Sequence, residues 1–171
     1  KAIGIFLLLL VWQTSFSQWK DHFDDGDFTK NPNWSGSTTD FVVENGVLRL
    51  FAPAVTGSAY LSTPSDILNE ATWEISITLD FNPSSSNFAK IFLISDSPDL
   101  HKDLSGYFIK IGGTNDDICL YRQDGASEIL LIDGLDSRAS LAQVLVDIKV
   151  SRSIDGNWEL LSKLPTEADW F

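Results

Sequence analysis

Trp73-Glu74-Ile75-Ser76-Ile77-Thr78-Leu79-Asp80-Phe81 is the stretch on which the fold class turns. Its apolar side chains fall on odd positions and its polar ones on even positions. Successive side chains of a strand point to opposite faces, so one face of this segment is buried and the other is wet. Val144, Val146, Ile148 and Val150 repeat the alternation around Asp147 and Lys149. Phe88 to Ile94 is apolar on both parities except for Lys90, which predicts a central strand covered on both faces. Strands of these kinds require two layers, and the fold class that follows is all-β: a two-sheet antiparallel β-sandwich.

Turn signals join the strands. Asn45-Gly46 links Phe41-Val42-Val43 to Val47-Leu48-Arg49-Leu50, and Asp155-Gly156-Asn157 links the Val144 strand to Trp158-Glu159-Leu160-Leu161. Gly112-Gly113 turns Tyr107 to Ile111 back on itself, and Asp124-Gly125 separates Ile118 to Arg122 from Glu128 to Ile132. The middle of the chain therefore reads as a meander. Asn82 to Asn87 and Ser95 to Ser105 read as surface loops.

At the start, Lys1 precedes the apolar run Ala2 to Trp12 and the polar, small-residue stretch Gln13 to Gln18, the three parts of a secretory signal peptide. The run is too short to cross a bilayer, which takes about 20 residues. The expected division is a signal peptide over 1–17 and a β-sandwich domain over 18–171, giving an exported protein, secreted or at the cell surface, with no transmembrane segment in the mature chain. Within the 171 residues, 43% are apolar and 12% aromatic, enough for a core without disorder. Twenty-four acidic against 12 basic side chains give a formal charge of −12. That field repels phosphate backbones and anionic lipid, so nucleic acid is not an expected partner. The single cysteine, Cys119, excludes an intrachain disulfide and reads as a small buried hydrophobe.

Four stretches in order carry a resemblance: Phe23-Asp24-Asp25-Gly26-Asp27-Phe28 with Asn31-Pro32 and Trp34; Gly106 to Gly112; Leu120 to Gly125; and Val150 to Trp158. Together they resemble the concanavalin A-like lectin/glucanase superfamily, in particular laminin-G-like domains of bacterial surface proteins. The resemblance implies a jelly-roll topology and a role in binding. It also implies further strands and further domains of the same polypeptide, such as a lamin-tail-like module, so that the sandwich lacks its last strands here.

Hydrolases of that superfamily carry Glu-x-Asp-x-x-Glu on a strand, with alternate carboxylates on one face. Only Glu167-Ala168-Asp169-Trp170-Phe171 approaches it, in a region that reads as an irregular connection, so no catalytic residue is assigned. No Gly-x-Ser-x-Gly elbow is present, and His22 and His101 lie in polar, loop-like stretches. A non-catalytic module binding a glycan or polysaccharide is the leading expectation; the alternatives are a structural or adhesion spacer and a glycoside hydrolase of the laminarinase type. Sugar binding needs flat aromatic rings beside groups that bond hydroxyls. Tyr107, Tyr121 and Trp158 are the candidate rings, with Asp124 and Asn157 beside them in their turns. No cofactor is assigned with certainty; calcium is the possible one, the cation that Asp24, Asp25 and Asp27 would suit as hard oxygen ligands. Aspartates in turns also bend and cap the backbone, and the spacing matches no standard calcium loop.

Overall fold

The computed structural model describes residues 20–171. The signal segment expected over 1–17 lies outside them. The described residues form strands, turns and loops with one short 3₁₀ turn at Thr38–Asp40, and no helix among them is long and apolar enough to cross a membrane.

The strands in chain order are β1 (Ser35–Gly36), β2 (Phe41–Glu44), β3 (Val47–Leu50), β4 (Leu61–Ser62), β5 (Ala71–Leu79), β6 (Ala89–Ser95), β7 (Leu104–Ile111), β8 (Ile118–Gly125), β9 (Ser127–Ile132), β10 (Val144–Arg152) and β11 (Trp158–Lys163). Two sheets make the sandwich, one ordered β11-β10-β5 and the other β6-β7-β8-β9. The second is the expected meander. All pairings are antiparallel. Among the described residues the β2–β3 hairpin pairs only with itself, and β1 pairs with β4. Asn45 and Gly46 take φ of 53° and 72°, the left-handed pair that a two-residue hairpin turn demands.

Alternation places the core. Ile75 and Ile77 of β5 and Val146, Ile148 and Val150 of β10 pack against Ile109 and Ile111 of β7 and Ile118 and Leu120 of β8. Each such aliphatic side chain contributes about 1.5–3 kcal/mol by leaving water. The opposite face of the three-stranded sheet is polar, with Lys149 paired to Glu74 at 3.0 Å and the Ser76 hydroxyl donating to Asp147.

The outer face of the four-stranded sheet is built differently. Phe92, Phe108 and Tyr121 stand on neighbouring strands in direct register. Phe108 lies 5.1 Å from Phe92 and 5.3 Å from Tyr121, nearly parallel to the latter at 8°. The Lys90 ammonium sits 4.4 Å above the Phe108 ring and pairs with Glu128. Phe108 is fully buried although it points away from the core.

This face explains a correction. The run Phe88 to Ile94 does not form a central strand, because β6 lies at the edge of its sheet. Its double parity has two local causes. Phe92 belongs to the outer aromatic row, and a bulge at Leu93 lets Phe92 oppose Phe108 while Ile94 opposes Tyr107. The extra residue shifts parity, so Leu93 and Ile94 both reach the core. The central strands are β7 and β8.

Candidate binding site

At one end of the sandwich the inward-facing series of three strands finish in polar and aromatic residues. On β8 the series Ile118, Leu120 continues to Arg122 and Asp124; on β10 the series Val144 to Val150 continues to Arg152. Tyr107 of β7 directly opposes Arg122, and Trp158 of β11 directly opposes Arg152. The rings of Tyr107 and Trp158 meet at 4.8 Å, and Trp158 stacks on Trp73 at 5.8 Å and 25°. The Arg152 guanidinium lies 5.3 Å from the Tyr107 ring and 5.1 Å from the Trp158 ring, and donates to the Leu68 carbonyl at 2.9 Å. Its Nε is buried without a hydrogen-bond partner among the described residues.

Beside Tyr107 opens a groove of about 500 Å³, lined by apolar Leu68, Ile94 and Tyr107 and by polar Asp96, Arg122 and Asp124. Gly106 makes the groove possible. A Cβ there would lie 2.3 Å from the Ile94 carbonyl oxygen, so only glycine lets β7 pass the bulged part of β6. Asp96 is partly committed to structure, accepting the Ser105 N–H at 2.8 Å.

The expected site residues separate into two places. Tyr107 and Trp158 are in contact, and Asp124 lines the same groove as Tyr107. Asn157 precedes Trp158 in the β10–β11 turn, where its main chain exchanges bonds with Ser153, receiving the Ser153 N–H at 2.9 Å and donating to its hydroxyl at 3.1 Å. Tyr121 is not part of this site: it stacks on Phe108 on the outer face of the sheet. Arg122, Arg152 and Asp96 were not among the expected residues. Continuing the β8 and β10 alternation past the last apolar residue would have found the two arginines.

No family model, curated protein or solved structure matches the chain.

The Asp25 and Asp27 carboxylates are taken up by their own turn. Asp25 accepts the Asp27 N–H at 3.1 Å, and Asp27 accepts the Thr29 amide at 2.7 Å and its hydroxyl at 2.6 Å. The Thr29 hydroxyl and amide hold the Asp27 carboxyl below its usual range, with Lys30 3.4 Å away adding to the effect. These are the bonds of a turn, and a calcium ion would have to compete with them. Glu167 lies in a turn after β11, not on a strand. Its two carboxylate oxygens each take a 2.6 Å bond from Arg138, and one also accepts the Leu164 N–H at 2.7 Å. That carboxylate is committed to structure. His101 meets a serine that sequence spacing did not reveal: its Nε2 lies 3.0 Å from the Ser58 hydroxyl. Asp99 takes the main-chain N–H of His101 at 3.1 Å, and among the described residues no carboxylate bonds the other ring nitrogen. The pair lacks the acid that would orient the ring for nucleophilic catalysis.

Cys119 is 1% exposed, as a small core hydrophobe should be. It lies beside Asp117 and Asp133, with the ligand atoms of all three within 4.8 Å of one another. Burial pushes the thiol up to about 12, with Asp117 and Asp133 adding to the rise and the Gly134 N–H opposing it. The thiolate is the reactive and metal-binding form, so the folded protein should resist thiol reagents at neutral pH. Titration with a disulfide reagent is expected to modify about one thiol per chain in denaturant and almost none in buffer; rapid labelling of the native protein would contradict this burial.

Proposed function

We propose that the domain is a non-catalytic binding module that takes a carbohydrate in the Tyr107 groove. The observation that carries this reading is the groove's lining: an aromatic ring and two aliphatic side chains beside a carboxylate, Asp124, and a guanidinium, Arg122, whose side chains form no hydrogen bond with the other described residues. Apolar C–H faces and bidentate hydroxyl contacts of a sugar ask for that combination. The resemblance to concanavalin A-like, laminin-G-like domains and the signal-like N-terminus favour the same role in an exported or surface-attached protein.

The test separates binding from stability. Tyr107 and Trp158 pack between the layers, so truncating either would disturb the fold as well as the groove. Asp124 is exposed and can be changed alone. On a glycan and polysaccharide array, in calcium and again in chelator, the protein is expected to bind saturably. Asp124→Ala should weaken that binding about tenfold, the cost of a charge-assisted hydrogen bond to a sugar hydroxyl. Tyr121→Ala, on the opposite face, should leave it unchanged. Loss of binding in chelator would bring the Asp24, Asp25 and Asp27 turn into the reading. A well-folded protein that binds nothing in either buffer would instead be a spacer or adhesion module.

A further inference from the structure

We infer that the groove selects a sugar unit bearing an anionic group, a carboxylate or a sulfate ester, an inference that rests on the carbohydrate reading of the same groove. Acidic side chains outnumber basic ones two to one in this chain. Accordingly, Lys30, Arg49, Lys90, Lys102, Arg138 and Lys149 each form an ion pair. Among the described residues the two arginines that flank Tyr107 do not, and neither do Lys20, Lys110 and Lys163. Arg122 sits directly across the strand pair from Tyr107, and such cross-strand neighbours have their Cβ atoms about 5 Å apart. Arg152 lies over the Tyr107 ring from the other sheet, with its Nε lacking an acceptor. Of the four arginines, the two without a carboxylate partner among the described residues are thus the two at one ring, and the other unpaired cations among those residues are lysines.

A guanidinium presents a planar fork of donors that matches a carboxylate or a sulfate, and it keeps its charge at every ordinary pH. Arg122 is exposed and lines the groove, so it can close on such a group directly. Arg152 is held by the Leu68 carbonyl and two rings, and acts from behind as a fixed positive charge. Asp96 and Asp124 line the groove as well. They repel a bare anion and favour a ligand that also offers hydroxyl donors. The mixed lining therefore fits an acidic sugar better than it fits inorganic phosphate or a neutral glycan.

Calorimetric titration at low and high salt should use four probes: an oligogalacturonate, the neutral galactose oligomer of equal length, its sulfated form, and inorganic sulfate. At low salt one of the charged oligomers is expected to bind about tenfold more tightly than the neutral one, and inorganic sulfate not measurably. Whichever charged oligomer binds tighter identifies the source of the anion. High salt should narrow the gap. Arg122→Gln, which keeps a hydrogen-bond donor but removes the charge, should erase the gap by bringing the charged oligomers down to the affinity that the same variant shows for the neutral one. Lys110→Gln, which removes an unpaired cation from over the Phe88 ring on the other face, should keep it. Equal affinity for charged and neutral oligomers would overturn the inference and leave the carbohydrate reading standing. A preference that survives Arg122→Gln, or that is lost in Lys110→Gln, would overturn it by placing the anion elsewhere. Failure of every oligomer to bind would overturn the inference, and the carbohydrate reading would then stand or fall on the array.

Discussion

Phe108→Ala is expected to cost about 3–5 kcal/mol of unfolding free energy, as much as an alanine in the middle of the sandwich. By direction alone this side chain faces outward, and an outward phenylalanine on an antiparallel sheet would ordinarily lose little on truncation. Here it is fully buried, between Phe92 and Tyr121 and beneath the Lys90 ammonium. Removing it would empty the middle of the row, leave two rings without their shared neighbour and deprive the ammonium of the ring face it lies on. Chemical denaturation should show the midpoint falling with an unchanged slope. A loss below about 1 kcal/mol would mean that the row is a loose surface cluster and not a second packed layer.

Arg138→Ala should lower the melting temperature by roughly 5–10 °C, the largest effect expected from a single charged side chain in this protein. The Arg138 side chain is 8% exposed and its partner Glu167 is 22% exposed. The guanidinium also donates to the Ser162 hydroxyl at 2.9 Å and the Ser162 carbonyl at 3.0 Å, and lies 5.5 Å from the Phe171 ring. Ser162 and Phe171 in turn exchange main-chain bonds of 2.7 and 3.0 Å. One arginine thus ties the β9–β10 connection to β11 and to the segment after it. Arg138→Lys cannot form the two-pronged contact and should recover only part of the loss.

The same pair sets an acid limit. Bonds from Arg138 and the Leu164 N–H hold the Glu167 carboxyl at about 2, against an ordinary 4.5. A depressed carboxyl contributes stability that is complete above its unfolded value and disappears as pH falls through the folded one. Melting temperature should therefore drop between pH 4.5 and pH 2 more steeply in the native protein than in Glu167→Gln. Parallel curves would show that the pair contributes nothing through its charge.

The layers were legible in sequence where one face is wet. β5 and β10 alternate because their outer faces are largely polar and open to solvent, and the Asn45-Gly46 and Asp155-Gly156 turns fix their neighbours. Asp124 and Gly125, by contrast, stay in β8, and the chain turns at Gly125-Ala126. β6 was misread because a bulge and an outward aromatic row both imitate a strand covered on two sides; nothing in Phe88 to Ile94 distinguishes a parity shift at Leu93 from burial of both faces. The site was half legible. Tyr107, Asp124 and Trp158 carry the chemistry of a sugar site and lie at one end of the sandwich, whereas Tyr121 carries the same chemistry and lies on the other side of its sheet. Counting parity along β8 separates them, since Arg122 and Asp124 share one face and Tyr121 the other. The Arg138 clamp could not be anticipated, because its partners lie 24 and 29 positions away across a turn with no periodic signal.

The contact between Trp73 and Trp158 gives the molecule a built-in optical signal. Two indoles 5.8 Å apart and 25° from parallel are close enough for their electronic transitions to couple, so a paired positive and negative band is the expected signal in circular dichroism. Tyr107, which lines the groove, touches one of the two indoles. An occupant that shifts Tyr107, and with it Trp158, is expected to change the intensity of that band, so occupancy of the groove can be followed in the unlabelled protein without attaching any dye.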